Sequence, residues 1–311
     1  MNKLKIHFLN TIWSDAILIE ANGKWGFVDT GSMFYYPMIK DYLDDNNIKE
    51  LDFIFLTHFH SDHYGNIVNI INDFKVNTLY IKKYSGHEGI TGSGYESNED
   101  YLIHEKGKYE EILEASKKTN KLMLIFLDDL PSPYTINFNG VDLELYNTRN
   151  NLIHLYDDET SPFYHQNRFS ENANSVPIFI NFNNHTIFLG SDCCDSDSSV
   201  PVFHQMARRI VKDIYNKYNI NHIDVYKSCH HGGGGTNGLE LLQLLNSDYC
   251  IITNTDRWLD NWNTISNLKE ANKKVEICKT DYYQYVFDFS YKKIKVTKIE
   301  KESLFLQLKK N

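Results

Sequence analysis

The stretch Thr57-His58-Phe59-His60-Ser61-Asp62-His63 decides the reading of this chain. Ahead of it, Phe53-Ile54-Phe55-Leu56 is a short apolar run of the kind that forms a buried strand. Behind it, Tyr64-Gly65-Asn66 leads into an apolar, helix-like segment. Four metal-competent side chains therefore leave one strand end together. Imidazole and carboxylate suit zinc and its first-row neighbours. Alternate residues leaving a strand point the same way, so His58 and His60 can grip one ion. Asp62 and His63, past the turn, can face a second ion. Two adjacent cations can clamp a nucleophilic oxygen and a leaving oxygen. A lone histidine is usually a surface or core residue, but packing does not explain three histidines and an aspartate crowded behind a buried strand.

The 311 residues suffice for one large domain or two small ones. The expected organisation is a single domain over 1–311, with insertions near 85–121 and 147–174. Hydrophobic residues at 41% and charged residues at 23% are ordinary for a soluble globular protein, and no apolar run is long enough to span a bilayer. A net charge of -9 argues against a nucleic-acid partner, because phosphate contacts need a basic surface. Met1 to His7 lacks the apolar core and cleavage site of a signal peptide. The cysteines are Cys193, Cys194, Cys229, Cys250 and Cys278, an odd number with no C-x-x-C pair, which points to reduced thiols in a cytoplasmic protein. Cys193, Cys194 and Cys229 flank candidate metal residues, so a thiolate ligand is conceivable, although small buried thiols are the plainer reading.

Strands are expected at 3–9, 16–21 and 25–29, the last two joined by an Asn22-Gly23 hairpin turn. A short helix at 36–43 and a strand at 51–56 lead into the metal turn. A helix at 66–74, a strand at 78–82, a helix at 99–118 and strands at 122–127 and 141–146 follow. The polar stretch 147–174 reads as a long loop, a common setting for lids and binding loops. A hairpin at 176–189 ends in Gly190-Ser191-Asp192. Phe203, Met206, Ile210, Ile214 and Tyr218 recur at helical spacing and mark a core-facing helix. A strand at 223–226 runs into Cys229-His230-His231, and a helix at 239–245 and strands at 250–253, 282–289 and 294–299 complete the chain. Two sets of strands, each followed by helices, predict an α/β (α+β) four-layer αββα sandwich, with the metal turn at one edge.

Asp192 ends a buried strand, and its two oxygens could bridge two ions; a turn aspartate is the alternative. Adjacent histidines on an extended chain diverge, so one of His230 and His231 should face the metals. Gly232 to Gly235 reads equally as a flexible connection or as backbone N–H groups facing an anion. Trp13 and Trp258, placed in loops, could cage a quaternary ammonium, with ordinary packing the plainer role.

Ser14-Asp15-Ala16, Asp29-Thr30-Gly31, the 58–63 turn, Asn174-Ser175, Gly190-Ser191-Asp192 and His230-His231-Gly232 occur in this order. The series resembles the metallo-β-lactamase superfamily, and within it the branch of the competence DNA-uptake channel hydrolase domain and the bacterial phosphorylcholine esterase catalytic module. The stretches 79–85, 143–147 and 172–175 carry the closer likeness to the esterase. The resemblance implies two zinc ions, with His58 and His60 on one, Asp62 and His63 on the other, Asp192 bridging and His231 as the last ligand. It implies a substrate-facing or supporting role for His230, and an orienting role for Asp29. Many members carry a further histidine where this chain has Asn174-Ser175, so Asn174 is expected to stand behind the ligands.

The function so implied is hydrolysis of a small phosphodiester, with a shared water made acidic by the metals and Asp62 and His230 at the reacting centre. Alternatives are hydrolysis of a carbonyl substrate (lactone, β-lactam or thioester) and a nucleic-acid-processing module. The expected partner is a small-molecule substrate, with no membrane partner and the oligomeric state left open.

Overall fold

The computed structural model describes residues 2–84, 86, 97–119, 121–149, 171–193, 195, 205–233, 236–259 and 263–301. The chain opens with an antiparallel meander, β1 (Leu4–Phe8), β2 (Ala16–Ala21) and β3 (Lys24–Thr30). Helix α1 (Tyr36–Asp45), with a proline in its first turn where a missing N–H costs nothing, crosses over. A two-residue strand β4 (Glu50–Leu51) precedes β5 (Phe53–Phe55), which pairs parallel to β3. The metal turn then contains one helical turn, α2 (Ser61–Tyr64), where the sequence suggested only a tight turn. Helix α3 (Ile67–Asp73) and β6 (Lys75–Val76), paired with β4, lead to β7 (Thr78–Ile81). Helix α4 (Asn98–Lys118) starts at Ser97, whose side chain accepts the Asp100 N–H, and leads to β8 (Met123–Phe126).

The second half repeats the plan. Strands β9 (Tyr134–Phe138), β10 (Val141–Leu145), β11 (Ile178–Phe182) and β12 (His185–Leu189) are antiparallel. Helix α5 (Met206–Tyr218) then leads to β13 (Val225–Lys227), α6 (Leu239–Leu245) to β14 (Tyr249–Ile252), and α7 (Asp256–Leu259) with α8 (Thr264–Ala271) to β15 (Glu276–Lys279). Strands β12 to β15 are mutually parallel. Strands β16 (Tyr283–Asp288) and β17 (Lys295–Glu300) return to the edge of the first sheet beside β1.

The sheets have the orders β17-β16-β1-β2-β3-β5-β7-β8 and β15-β14-β13-β12-β11-β10-β9. Their facing sides share a core that includes Ile6, Phe8, Phe55, Leu143, Ile178 and Phe287. A second core packs α1, α3 and α4 on the outer side of the first sheet, and a third packs α5, α6 and α8 on the second. The predicted αββα sandwich is therefore the observed fold. Strands β9 and β15 and helix α8 were not foreseen, and Trp258 lies in α7 rather than in a loop. Phe203, much of 85–96 and most of the 147–174 segment lie outside the described residues. No helix among the described residues is long and apolar enough to cross a membrane.

Candidate metal centre

Ligands of open α/β sheets sit beyond the carboxyl ends of parallel strands. Here β3 ends at Asp29-Thr30, β5 runs into 57–63, β12 into Ser191-Asp192, β13 into His230-His231 and β14 into Thr253. These ends converge. One ligand atom each from His58, His60 and Asp192 lies within 4.8 Å of the others, and so do atoms of Asp15, His63, Asp192 and His231. Asp192 belongs to both groups. Its Oδ2 is 3.5 Å from His58 Nε2 and 3.4 Å from His63 Nε2, and its Oδ1 is 3.7 Å from His231 Nε2. Asp62 Oδ2 is 3.0 Å from His231 Nε2 and 3.8 Å from His63 Nε2.

Hydrogen bonds at the back of each ring set its tautomer. Asp29 accepts from the Thr57 N–H and the Thr57 hydroxyl, both at 2.8 Å, and from His63 Nδ1 at 2.8 Å. The Thr57 hydroxyl proton is thus spent on Asp29, so at 3.1 Å it is His58 Nδ1 that donates to Thr57 Oγ1. The Thr253 hydroxyl likewise donates to Asp15 Oδ1 at 2.7 Å, so His231 Nδ1 donates to Thr253 Oγ1 (2.9 Å) and Asp15 Oδ1 (3.1 Å). Three rings therefore carry their proton on Nδ1 and turn a bare Nε2 inward.

The lone pairs of His63 and His231 face carboxylate oxygens, which are also acceptors, while that of His58 meets His60 Nδ1 at 3.0 Å as well as Asp192. His63 Nε2 is buried without a hydrogen-bond partner. Acceptors crowded against acceptors in a buried site need a positive charge between them. The spacing fits a metal: bonds of about 2.0–2.2 Å in a tetrahedron put neighbouring donors about 3.3–3.6 Å apart. Without a metal, protons take that place. Burial pushes His63 and His231 down, but Asp192 and their other carboxylate neighbours outweigh it, raising His63 well above its ordinary value and His231 to about 9. Burial, with help from the His63 charge, holds His58 well below its ordinary value.

The turn carrying His230 and His231 is not extended. Both residues are left-handed, with φ of +46° and +55°, as are Asp29 and Ser191. Such strain is held by surrounding bonds. Asn237 Nδ2 and the Thr236 hydroxyl donate to Cys229 O, and Tyr226 donates to Asn237 while accepting the Cys229 N–H. The backbone is thus not the extended one assumed from the sequence, yet the two rings still part. His231 is buried among the donors, while His230 Nε2 stays 3.8 Å from Asp192 Oδ2 with its side chain 23% exposed. Asn174 is buried one step back, its amide donating to Glu171, and the Val176 N–H nearby donates to Thr57 O.

Asp15 was given no role from the sequence. Its side chain is buried, bonded to His231 and Thr253, and ion-paired with the fully buried Lys227. Cys229 is not among the gathered donors: its thiol lies 3.7 Å from Gly190 O, and burial pushes it up to about 12. Cys193, Cys229, Cys250 and Cys278 are all buried; Cys194, Gly234 and Gly235 lie outside the described residues.

The chain is thus a four-layer sandwich that gathers histidines and carboxylates at the strand ends of both sheets. Residues 14–137 match the model of the metallo-beta-lactamase superfamily. A 97-residue segment is 33% identical to a UPF0173 metal-dependent hydrolase of Staphylococcus epidermidis, covering 29% of this chain and 38% of that protein's length. Among solved structures, unliganded yeast PDE1 aligns over 90% of this chain and 98% of its own with a TM-score of 0.53 and 9% identity. A diphosphatase from the PhnP family aligns over 93% and 99% with a TM-score of 0.46 and 13% identity. The resemblance drawn from the motifs is thus met at the level of the superfamily: the chain has the metallo-β-lactamase fold and, over 14–137, its sequence pattern.

Proposed function

We propose that the protein is a dinuclear zinc hydrolase that cleaves a small phosphodiester. One observation carries the reading: the buried Asp192 carboxylate is shared by both donor groups, its Oδ2 near His58 and His63 and its Oδ1 near His231. A carboxylate so placed fits a pair of cations, and a pair of cations fits in-line displacement at phosphorus. His58, His60 and Asp192 would hold the first, and Asp62, His63, His231 and Asp192 the second. When bound, the cations supply a water acidified to about neutral pH and positive charge for the phosphoryl oxygens. Asp62, 21% exposed, would help hold the second cation and orient the attacking water by accepting its hydrogen bond. Burial lowers the pKa of His230, so at neutral pH its imidazole is uncharged and offers a hydrogen bond to a phosphoryl oxygen on the open side. The new P–O bond forms as the ester P–O bond breaks, and the leaving oxygen takes its proton from solvent.

The resemblance to the phosphorylcholine esterase module supports a small diester, and the buried thiols suit a cytoplasmic protein. The test is release of p-nitrophenol from p-nitrophenylphosphorylcholine and bis-p-nitrophenyl phosphate, with chelated and zinc-restored controls. Turnover lost on chelation and regained with zinc is expected. Turnover of lactones, β-lactams or thioesters by protein inert to diesters would overturn the phosphodiester reading.

A further inference from the structure

We infer that the metal centre is entered past an apolar rim of Trp13, Met33 and Phe34, and that the substrate carries an apolar ring or chain seated on it. The substrate class rests on the phosphodiester reading; the rim rests on geometry alone. Trp13 holds a left-handed backbone, φ +51°, which is strained for a bulky residue and marks a functional position. Its N–H donates to Thr253 O at 2.8 Å, beside the hydroxyl that holds His231. The ring centroid is 5.7 Å from that of His230 and 5.8 Å from that of His231. A side chain at Gly233 would come within 2.8 Å of the indole, so the glycine makes room for the ring. Trp13 is half-buried, an aromatic wall next to His230, a partly exposed histidine of the site.

Three loops are tied into one edge. Ser14 Oγ accepts the Ser32 N–H at 2.7 Å and donates to Asp62 O at 2.8 Å. The Tyr35 hydroxyl bonds both the N–H and the carbonyl of Ile12. A Cβ at Gly65 would lie 2.5 Å from Met33 N and 2.7 Å from Ser61 O, so the Met33 backbone lies directly on the helical turn that bears Asp62 and His63. From this edge Met33 and Phe34 project with 65% and 63% of their surface exposed. Single exposed apolar residues need no explanation, but an adjacent pair on a loop tied to the segment of Trp13 and to the turn of Asp62 and His63 does. Cation-binding donors beside an apolar wall suit an amphiphilic anion: the phosphoryl group over the donors, the apolar arm on the rim.

The test is calorimetric binding of phenylphosphonate and methylphosphonate to zinc-loaded protein, run beside the diester assay. The wild type should bind the phenyl compound about ten-fold or more tightly than the methyl one, as burying a ring predicts. Trp13→Ala should bring that ratio close to one, and the surface variant Met33→Ser/Phe34→Ser, which leaves the core intact, should reduce it. Equal affinities in the wild type, or a ratio unmoved in both variants, would overturn the rim. Diester turnover with equal affinities would leave the reaction standing without the rim. A ten-fold preference in protein inert to diesters would leave the rim standing without the reaction.

Discussion

Asp29→Asn isolates the tautomer argument. Asp29 is 1% exposed and left-handed, a conformation asparagine tolerates as well, so the backbone has no reason to move. The Thr57 N–H still needs an acceptor at 2.8 Å, so the new amide keeps its oxygen there. Its NH2 group then takes the place of Oδ2, which now accepts from both the Thr57 hydroxyl and His63 Nδ1. Donor would face donor, and His63 must shift its proton to Nε2. That nitrogen then donates toward Asp192, 3.4 Å away, and no longer offers a lone pair to a metal. Losing such a supporting carboxylate costs about 10–100-fold in metal affinity, or about 1.4–2.7 kcal/mol. Chelator competition measures the affinity, and thermal unfolding in excess chelator measures the metal-free protein. The expected pair of results is a weaker zinc site and a metal-free protein that loses less stability than the site loses binding energy, because His63 can give up its Nδ1 proton while keeping the Nε2 proton that faces Asp192. Unchanged zinc affinity would refute the tautomer assignment. A metal-free protein destabilised as much as binding is weakened would show Asp29 to be structural only.

Two further outcomes follow from the same geometry. His231→Ala should lose bound metal, whereas His230→Ala should keep its metal content and lose at least ten-fold in turnover; metal analysis beside a steady-state assay checks both. In the chelated protein, His231 titrates near 9 against about 6.5 unfolded, and His63 is also raised. A raised pKa contributes stability below the unfolded value and loses it as pH climbs through the folded one, here between about 6.5 and 9. The metal-loaded protein needs these rings deprotonated and does not lose that contribution. The gap in unfolding free energy between loaded and chelated forms should therefore widen by up to about 3 kcal/mol across that window; a constant gap would contradict it.

The metal turn was legible because its side chains are contiguous and the strand before it is a plain apolar run. Asp15 was not, although it sits in one of the quoted motifs. Its role depends on Lys227, 212 residues away, and Thr253, 238 away, and no local pattern announces either. For the His230-His231 pair an extended backbone was assumed, and the actual turn was not legible. The left-handed turn is set by Tyr226, Thr236 and Asn237, whose side chains look like ordinary turn residues in the sequence. Strand β9 does show period-two alternation at Tyr134, Ile136 and Phe138, but two prolines close before it disguise a strand in the sequence. β15 is a short edge strand with a single buried residue, Cys278, and offers almost no pattern to read.

The repeated plan of the two halves explains where the donors come from. Each sheet starts as an antiparallel meander and continues as parallel strands whose carboxyl ends meet at one edge. The first sheet offers His58, His60, Asp62 and His63 with Asp29 behind them. The second offers Asp192, His230 and His231. Neither donor group is complete within one sheet, because the carboxylate common to both comes from β12 while most of the imidazoles come from the β5 turn. Asp15, at the start of β2, crosses the same gap in the other direction to reach Lys227 and Thr253 on the second sheet. A buried ion pair of this kind is poor evidence of net stability but strongly penalises the loss of either partner. The site and the packing of one sheet on the other thus use the same residues. A metal bound there stabilises the relation between the sheets as directly as it supports chemistry, because it has high affinity only for the arrangement in which both sets of strand ends are in place.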